Sequence, residues 1–216
     1  TKSIIILQQD SRANRTAANI LRLFVERISG ADMPVVTNKT ARKGDVIIGS
    51  EAPMDVKEDG YALSTAGGIL KISGKANGVV YGAVSLLEDY LGVDYWVENE
   101  YSLTKSENIS LPLIEKVDNP AFRYRQTQCY AMKNDSIYKW WNRLEEPEEA
   151  FAAGYWVHTF DKLLPAEVYG EKHPEYYAYF NGKRNPGKAS QWCLTNPEVF
   201  EIVSQRIDSI FKANPD

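Results

Sequence analysis

Both histidines of this chain, His158 and His173, lie in its second half. His158 sits near the end of the apolar run 154–160. There an imidazole is either a satisfied core side chain or a hydrogen-bonding group offered to a ligand. His173 precedes Pro174-Glu175 in a loop-like setting. The two histidines are fifteen residues apart, and neither Cys129 nor Cys193 stands in a CxxC or His/Cys cluster. No metal and no cofactor are expected from such spacing. Arg125 lies in a stretch where Phe122, Tyr124, Gln126, Gln128 and Tyr130 alternate with Arg123, Arg125, Thr127 and Cys129. Period two predicts a strand, with Arg125 on the less bulky face. A guanidinium there forks two hydroxyls or a carboxylate, or else forms a structural ion pair. Trp140, Trp141, Trp156 and Trp192 are either core or flat stacking platforms. The run Glu145-Glu146-Pro147-Glu148-Glu149 reads as a solvated loop rather than a cation site. Residues 121–216 offer no adjacent acid pair at a predicted strand end.

Composition narrows what these groups can serve. The chain has 216 residues and a net charge of −4, without the basic patch or stripe of a nucleic-acid binder. No apolar run approaches the ~20 residues of a membrane-spanning helix. Seven aromatic residues fall in 1–120 and eighteen in 121–216, so the character of the chain changes near Asn119-Pro120. Two domains are expected, 1–117 and 118–216. The cysteines are expected to be free thiols. The start at Thr1, with no Met and no apolar leader, fits a processed export signal or a trimmed chain.

The first part alternates strands and helices. Residues 3–7 form a β-branched run of strand length. Ala17, Ile20, Leu21, Phe24, Val25 and Ile28 recur at helical spacing behind Ser11, and Gly30 should end that helix. Strands are predicted at 33–37, 45–49, 60–64 and 69–73, the last two joined as a hairpin around Gly67-Gly68. Val80, Val84, Leu87 and Leu91 mark a helix over 77–91. Gly78 and Gly82 would let one side of it approach a sheet closely. Glu88 and Asp89 fall on its solvated face. With a final strand at 93–98, the order is β-α-β-β-β-α-β, a two-layer α/β sandwich.

The ordered set 45–50, 60–61, 69–74, 77–82 and 89–93 resembles one known domain, the non-catalytic N-terminal domain of bacterial hexosaminidases and α-glucuronidases of glycoside hydrolase families 20 and 67. The resemblance covers about residues 3–112. It implies a domain that braces a catalytic barrel and carries no catalytic group.

In the second part, strands are predicted at 122–130, 154–160 and 191–195. A strand meets an Asn-Gly turn at 176–184, and a helix begins at Asn196-Pro197-Glu198. The motifs His158-Thr159-Phe160, His173-Pro174-Glu175-Tyr176-Tyr177, Asn181-Gly182-Lys183-Arg184 and Cys193 to Val199 resemble the domain-of-unknown-function 4838 family of bacterial glycoside hydrolases. That resemblance implies the start of a (β/α)8-type barrel, left incomplete because such a barrel needs about 250 residues. It implies a carbohydrate partner, export to the periplasm or the extracellular space, and catalytic carboxylates beyond this chain. Arg125, Trp141, Arg143, His158, Trp192 and Asn196 are then the candidate sugar contacts. A non-enzymatic carbohydrate-binding protein and a structural accessory module remain the alternatives.

Overall fold

A computed structural model describes residues 3–146 and 154–215. It forms two compact units, Thr1–Glu146 and Pro147–Asp216. Residues 147–151, which hold the end of the acidic run, lie outside the described residues.

The first unit starts with strand β1 (Ile5–Leu7) and helix α1 (Arg12–Ser29). Ser11 caps α1, its Oγ accepting from the Asn14 N–H at 3.1 Å. Gly30 ends it in the left-handed region, φ +71°, its N–H donating to the Glu26 carbonyl. Strands β2 (Val35–Thr37), β3 (Val46–Ser50), β4 (Tyr61–Ala66) and β5 (Ile69–Gly74) follow, then α2 (Gly78–Leu91). Next come β6 (Asp94–Val97), β7 (Glu100–Ser102) and β8 (Glu115–Asp118). Six of these strands make one mixed sheet, ordered β2-β1-β3-β5-β4-β8. β1 pairs in parallel with β2 and β3, and β3 in parallel with β5. β4 runs antiparallel to both β5 and β8.

The segment 93–98 is a strand, as its pattern predicts, but it does not join the sheet. β6 folds back on β7 as a separate ribbon. The sheet is closed instead by β8, for which the sequence predicts no strand. Thr65 fixes the approach to β8: its Oγ1 accepts from the Ile114 N–H at 2.8 Å. Both main helices lie where expected, and Val84 and Leu87 of α2 are fully buried.

The core joins α1 (Leu21, Phe24, Val25), α2 (Val80, Val84, Leu87) and the sheet (Ile5, Ile48, Leu63, Ile72). Burying each such side chain contributes roughly 1.5–3 kcal/mol. Gly78 shows why α2 comes so close to the sheet edge. A Cβ there would sit 1.9 Å from the Gly60 carbonyl oxygen, a backbone atom that cannot swing away.

Two short helices, α3 (Tyr130–Asn134) and α4 (Ser136–Trp141), complete this unit. The strand predicted at 122–130 is not formed. Only one bridge exists there, Arg125 with Glu145. Its alternation is that of an extended segment held by side chains rather than by a ladder.

The second unit holds α5 (Phe160–Leu163), α6 (Ala166–Tyr169), a 3₁₀ turn at Pro174–Tyr176, the hairpin β9 (Tyr179–Phe180) and β10 (Lys183–Arg184), and α7 (Pro197–Ala213). The Asn181-Gly182 turn is present, both residues at positive φ. α7 begins as predicted, with Asn196 Oδ1 accepting from the Glu198 N–H at 2.9 Å. The strands expected at 154–160 and 191–195 are absent apart from a Tyr177–Trp192 bridge. Among the described residues of this unit no parallel strand pair forms. Its core is small: Leu163, Leu164, Tyr176, Tyr177, Val199 and Val203.

Candidate functional site

Three of the candidate sugar contacts lie in the first unit, and all three are engaged by the protein itself. The Arg125 guanidinium donates from Nη2 to Asp59 Oδ2 at 3.0 Å. From Nη1 it donates to the carbonyls of Phe122 and Arg123, and from Nε to that of Arg143. Its carbon lies 5.8 Å from the centre of the Tyr81 ring. The Asp59–Arg125 pair is mostly buried, with 10 % and 15 % of the side chains exposed. Asp59 also accepts from the Asn77 N–H at the entry to α2. Glu145 accepts there from Asn77 Nδ2 at 2.8 Å and from the Tyr81 hydroxyl at 3.3 Å. This network ties 125 and 145 to α2 and extends the unit to Glu146. Burial, followed by the nearby carboxylates Asp59 and Glu145, drives the Tyr81 hydroxyl well above its usual range, although Arg125 pulls the other way. Tyr81 therefore acts as a neutral donor.

Trp141 is core rather than a stacking platform. It is 4 % exposed and packs against the rings of Phe24 at 5.2 Å and Tyr95 at 5.5 Å. Arg143 stands at φ +50° and donates to Glu88 Oε2 at 2.5 Å and to the Trp141 carbonyl. Glu88 and Asp89, expected on a solvated face, are thus both paired, since Asp89 accepts from Lys116 Nζ at 2.7 Å.

The other three candidates lie in the second unit. His158 is exposed, on a loop just before α5, and its φ is +53°. A left-handed conformation is uncommon for a residue with a side chain, although histidine tolerates it better than most. Trp192 stacks on Phe160 with ring centres 4.0 Å apart and planes 16° apart, and its Nε1 donates to the Phe160 carbonyl. Since Phe160 follows His158 by two, the stack ties residues 191–193 to the His158 loop. Asn196 is the α7 cap, its Oδ1 occupied by the N–H groups of Glu198 and Val199.

Sequence reasoning did not connect a further cluster. His173 Nδ1 lies 3.0 Å from Glu175 Oε1, and the His173 ring stacks on Tyr176 with centres 4.6 Å apart. The Tyr176 hydroxyl donates to Glu198 Oε2 at 2.5 Å, and that carboxylate pushes the phenol up to about 12. The two motifs His-Pro-Glu-Tyr and Asn-Pro-Glu were the available signal, but nothing in their spacing brings them together. Cys129 and Cys193 are both free thiols. The Cys193 thiol is held below its ordinary range by its hydrogen bonds to Thr195 and to Arg184.

The model of the domain of unknown function DUF4838 matches residues 95–216, more than half of the sequence. The chain belongs to that family. Residues 1–89 match glycosyl hydrolase family 20, domain 2. The chain is thus a glycoside hydrolase-associated N-terminal domain followed by DUF4838. Solved structures similar to it include a mutant Streptomyces plicatus β-hexosaminidase in complex with GlcNAc, 18 % identical, TM-score 0.42, covering 58 % of this chain and 23 % of that one. A family 20 exo-β-N-acetylglucosaminidase from Vibrio harveyi in complex with N-acetylglucosamine is 19 % identical, TM-score 0.41, covering 57 % and 17 %. The family 20 β-N-acetylhexosaminidase of Streptomyces coelicolor is 17 % identical, TM-score 0.42, covering 57 % and 23 %. This chain spans less than a quarter of the length of each. No curated protein matches it. Among the described residues, no helix is long and apolar enough to cross a membrane.

Proposed function

We propose that this chain is the bracing domain and the beginning of the glycan-acting domain of an exported glycoside hydrolase, and that the catalytic carboxylates lie on strands outside these 216 residues. The observation that carries this reading is the order of the two matched families, a hexosaminidase-type domain followed by DUF4838. The second unit supports it. Leu194, Phe200 and Phe211 are each more than 60 % exposed there, apolar side chains available to pack against further barrel elements. His158 is the residue we assign to sugar contact: it offers an exposed imidazole on a conformationally constrained loop, and Trp192, stacked on Phe160, anchors the segment beside it. Arg125, Trp141, Arg143, Trp192 and Asn196 already spend polar groups or ring faces within the protein.

Two measurements test this. The 216-residue protein should release no nitrophenol from aryl glycosides, including the N-acetylglucosaminide. Turnover would overturn the placement of the catalytic acids. In calorimetric titration with chito-oligosaccharides, His158→Ala should weaken any sugar binding about tenfold or more, the loss of one good hydrogen bond. Binding unchanged by His158→Ala would remove His158 from the site.

A further inference from the structure

One imidazole and two carboxylates, drawn from two separated segments, meet on the second unit. His173 and Glu175 flank Pro174 at the head of the 3₁₀ turn, and Glu198 stands in the first turn of α7. One nitrogen or oxygen from each lies within 4.8 Å of the others. We propose that His173, Glu175 and Glu198 form a binding site for a divalent transition metal, with Zn²⁺ as the fitting ion.

The spacing is within reach of that of ligands around an ion. Zinc is bound by imidazole nitrogen and carboxylate oxygen at about 2.0–2.2 Å, so two adjacent ligand atoms sit about 3.0–3.5 Å apart. His173 Nδ1 and Glu175 Oε1 are 3.0 Å apart. The third ligand has only to close from within 4.8 Å, which the rotatable, exposed carboxylate of Glu198 can do. One nitrogen and two oxygens suit Zn²⁺ or Mn²⁺ better than the all-oxygen ions Ca²⁺ and Mg²⁺.

Groups around the ligands are placed to hold them. The Tyr176 hydroxyl donates to Glu198, and its ring stacks flat on His173, interplanar angle 8°, which sets the imidazole plane. Arg184 adds some positive potential near Glu175, but two carboxylates facing one imidazole remain an excess of acceptors. A dication balances that charge, and three protein ligands leave positions for water or a sugar hydroxyl.

The site is independent of turnover, so binding is read directly. Zn²⁺ is titrated calorimetrically into the full chain carrying Cys129→Ser and Cys193→Ser, which removes the thiols as competing ligands. One equivalent should bind. His173→Ala and the near-isosteric Glu198→Gln should each weaken binding about tenfold or more, with unchanged circular dichroism. His158→Asn should leave binding as it was. Mn²⁺ should give the same dependence by electron paramagnetic resonance. Absence of Zn²⁺ binding up to millimolar, or binding that survives both His173→Ala and Glu198→Gln, overturns the proposal. Loss on His158→Asn instead would place the ion elsewhere and overturn it equally.

Discussion

Arg125 illustrates how burial decides the role of a side chain. Sequence alternation places it on the lighter face of an extended segment, where it is free to serve a ligand. The fold turns it toward Asp59 and three carbonyls, using four of its hydrogen-bonding directions. Truncation would leave Asp59 as a largely buried charge without its partner, and breaking such a pair costs about 3 kcal/mol. Arg125→Ala should lower stability by that amount in urea denaturation, while Arg125→Ala combined with Asp59→Asn should cost less than the sum of the two single changes. Additive losses would mean that the pair is not coupled. Trp141 shows the same logic with a ring: its faces are filled by Phe24 and Tyr95, so its contribution is to packing.

At the scale of elements, α2 is held to the sheet by charge as well as by packing. Ser85 and Asp89 of α2 meet Lys116 of β8, with the Lys116 ammonium donating to both. Partial burial alone would raise the Asp89 carboxyl, but the hydrogen bonds from Lys116 and Ser85 win and hold it below its ordinary 3.8. A depressed carboxylate stabilises the fold above its unfolded value, and that contribution disappears as pH falls through the folded one. Lys116 is the mirror case. Burial would lower it, yet Asp89 raises it above 10.5, so its contribution is complete below that pH and lost as pH rises through the folded value. Both side chains are about a third or more exposed, so the pair contributes only about 0.5 kcal/mol. Asp89→Asn should cost that much at pH 7 and almost nothing at pH 2. An equal cost at both pH values would show that the effect is packing rather than charge.

For the molecule as a whole, the two units differ in the depth of their cores. The first buries α2 between α1 and a six-stranded sheet, whereas the second, among its described residues, rests on six buried residues and leaves large apolar side chains in water. Local stability follows buried apolar contact. Amide hydrogen exchange read by mass spectrometry should therefore show α2 and β5 protected about 100-fold more than α7, a gap of about 2.7 kcal/mol. Equal protection across the two would mean that the small core is not the limit on the second unit.

The sequence by itself determined the local elements whose cause is local. Helical spacing behind Ser11, the stop at Gly30, the helix over 77–91, the Asn181-Gly182 turn and the Asn196 cap are all set by residues within a few positions of one another, and each is where its pattern places it. Ordered motifs also named both families. Partners far apart in the chain were another matter. That 93–98 leaves the sheet and 115–118 joins it depends on which strand edge is open once β4 and β5 have paired. The strand-like periods at 122–130, 154–160 and 191–195 state only that side chains alternate; a ladder also needs a neighbour, and none was in place. Only the tertiary structure decided that Arg125 faces Asp59, that Trp141 is core, and that His173 and Glu175 stand beside Glu198. Those contacts join residues 23 to 66 positions apart, or depend on packing from several elements at once, and local spacing carries no record of them.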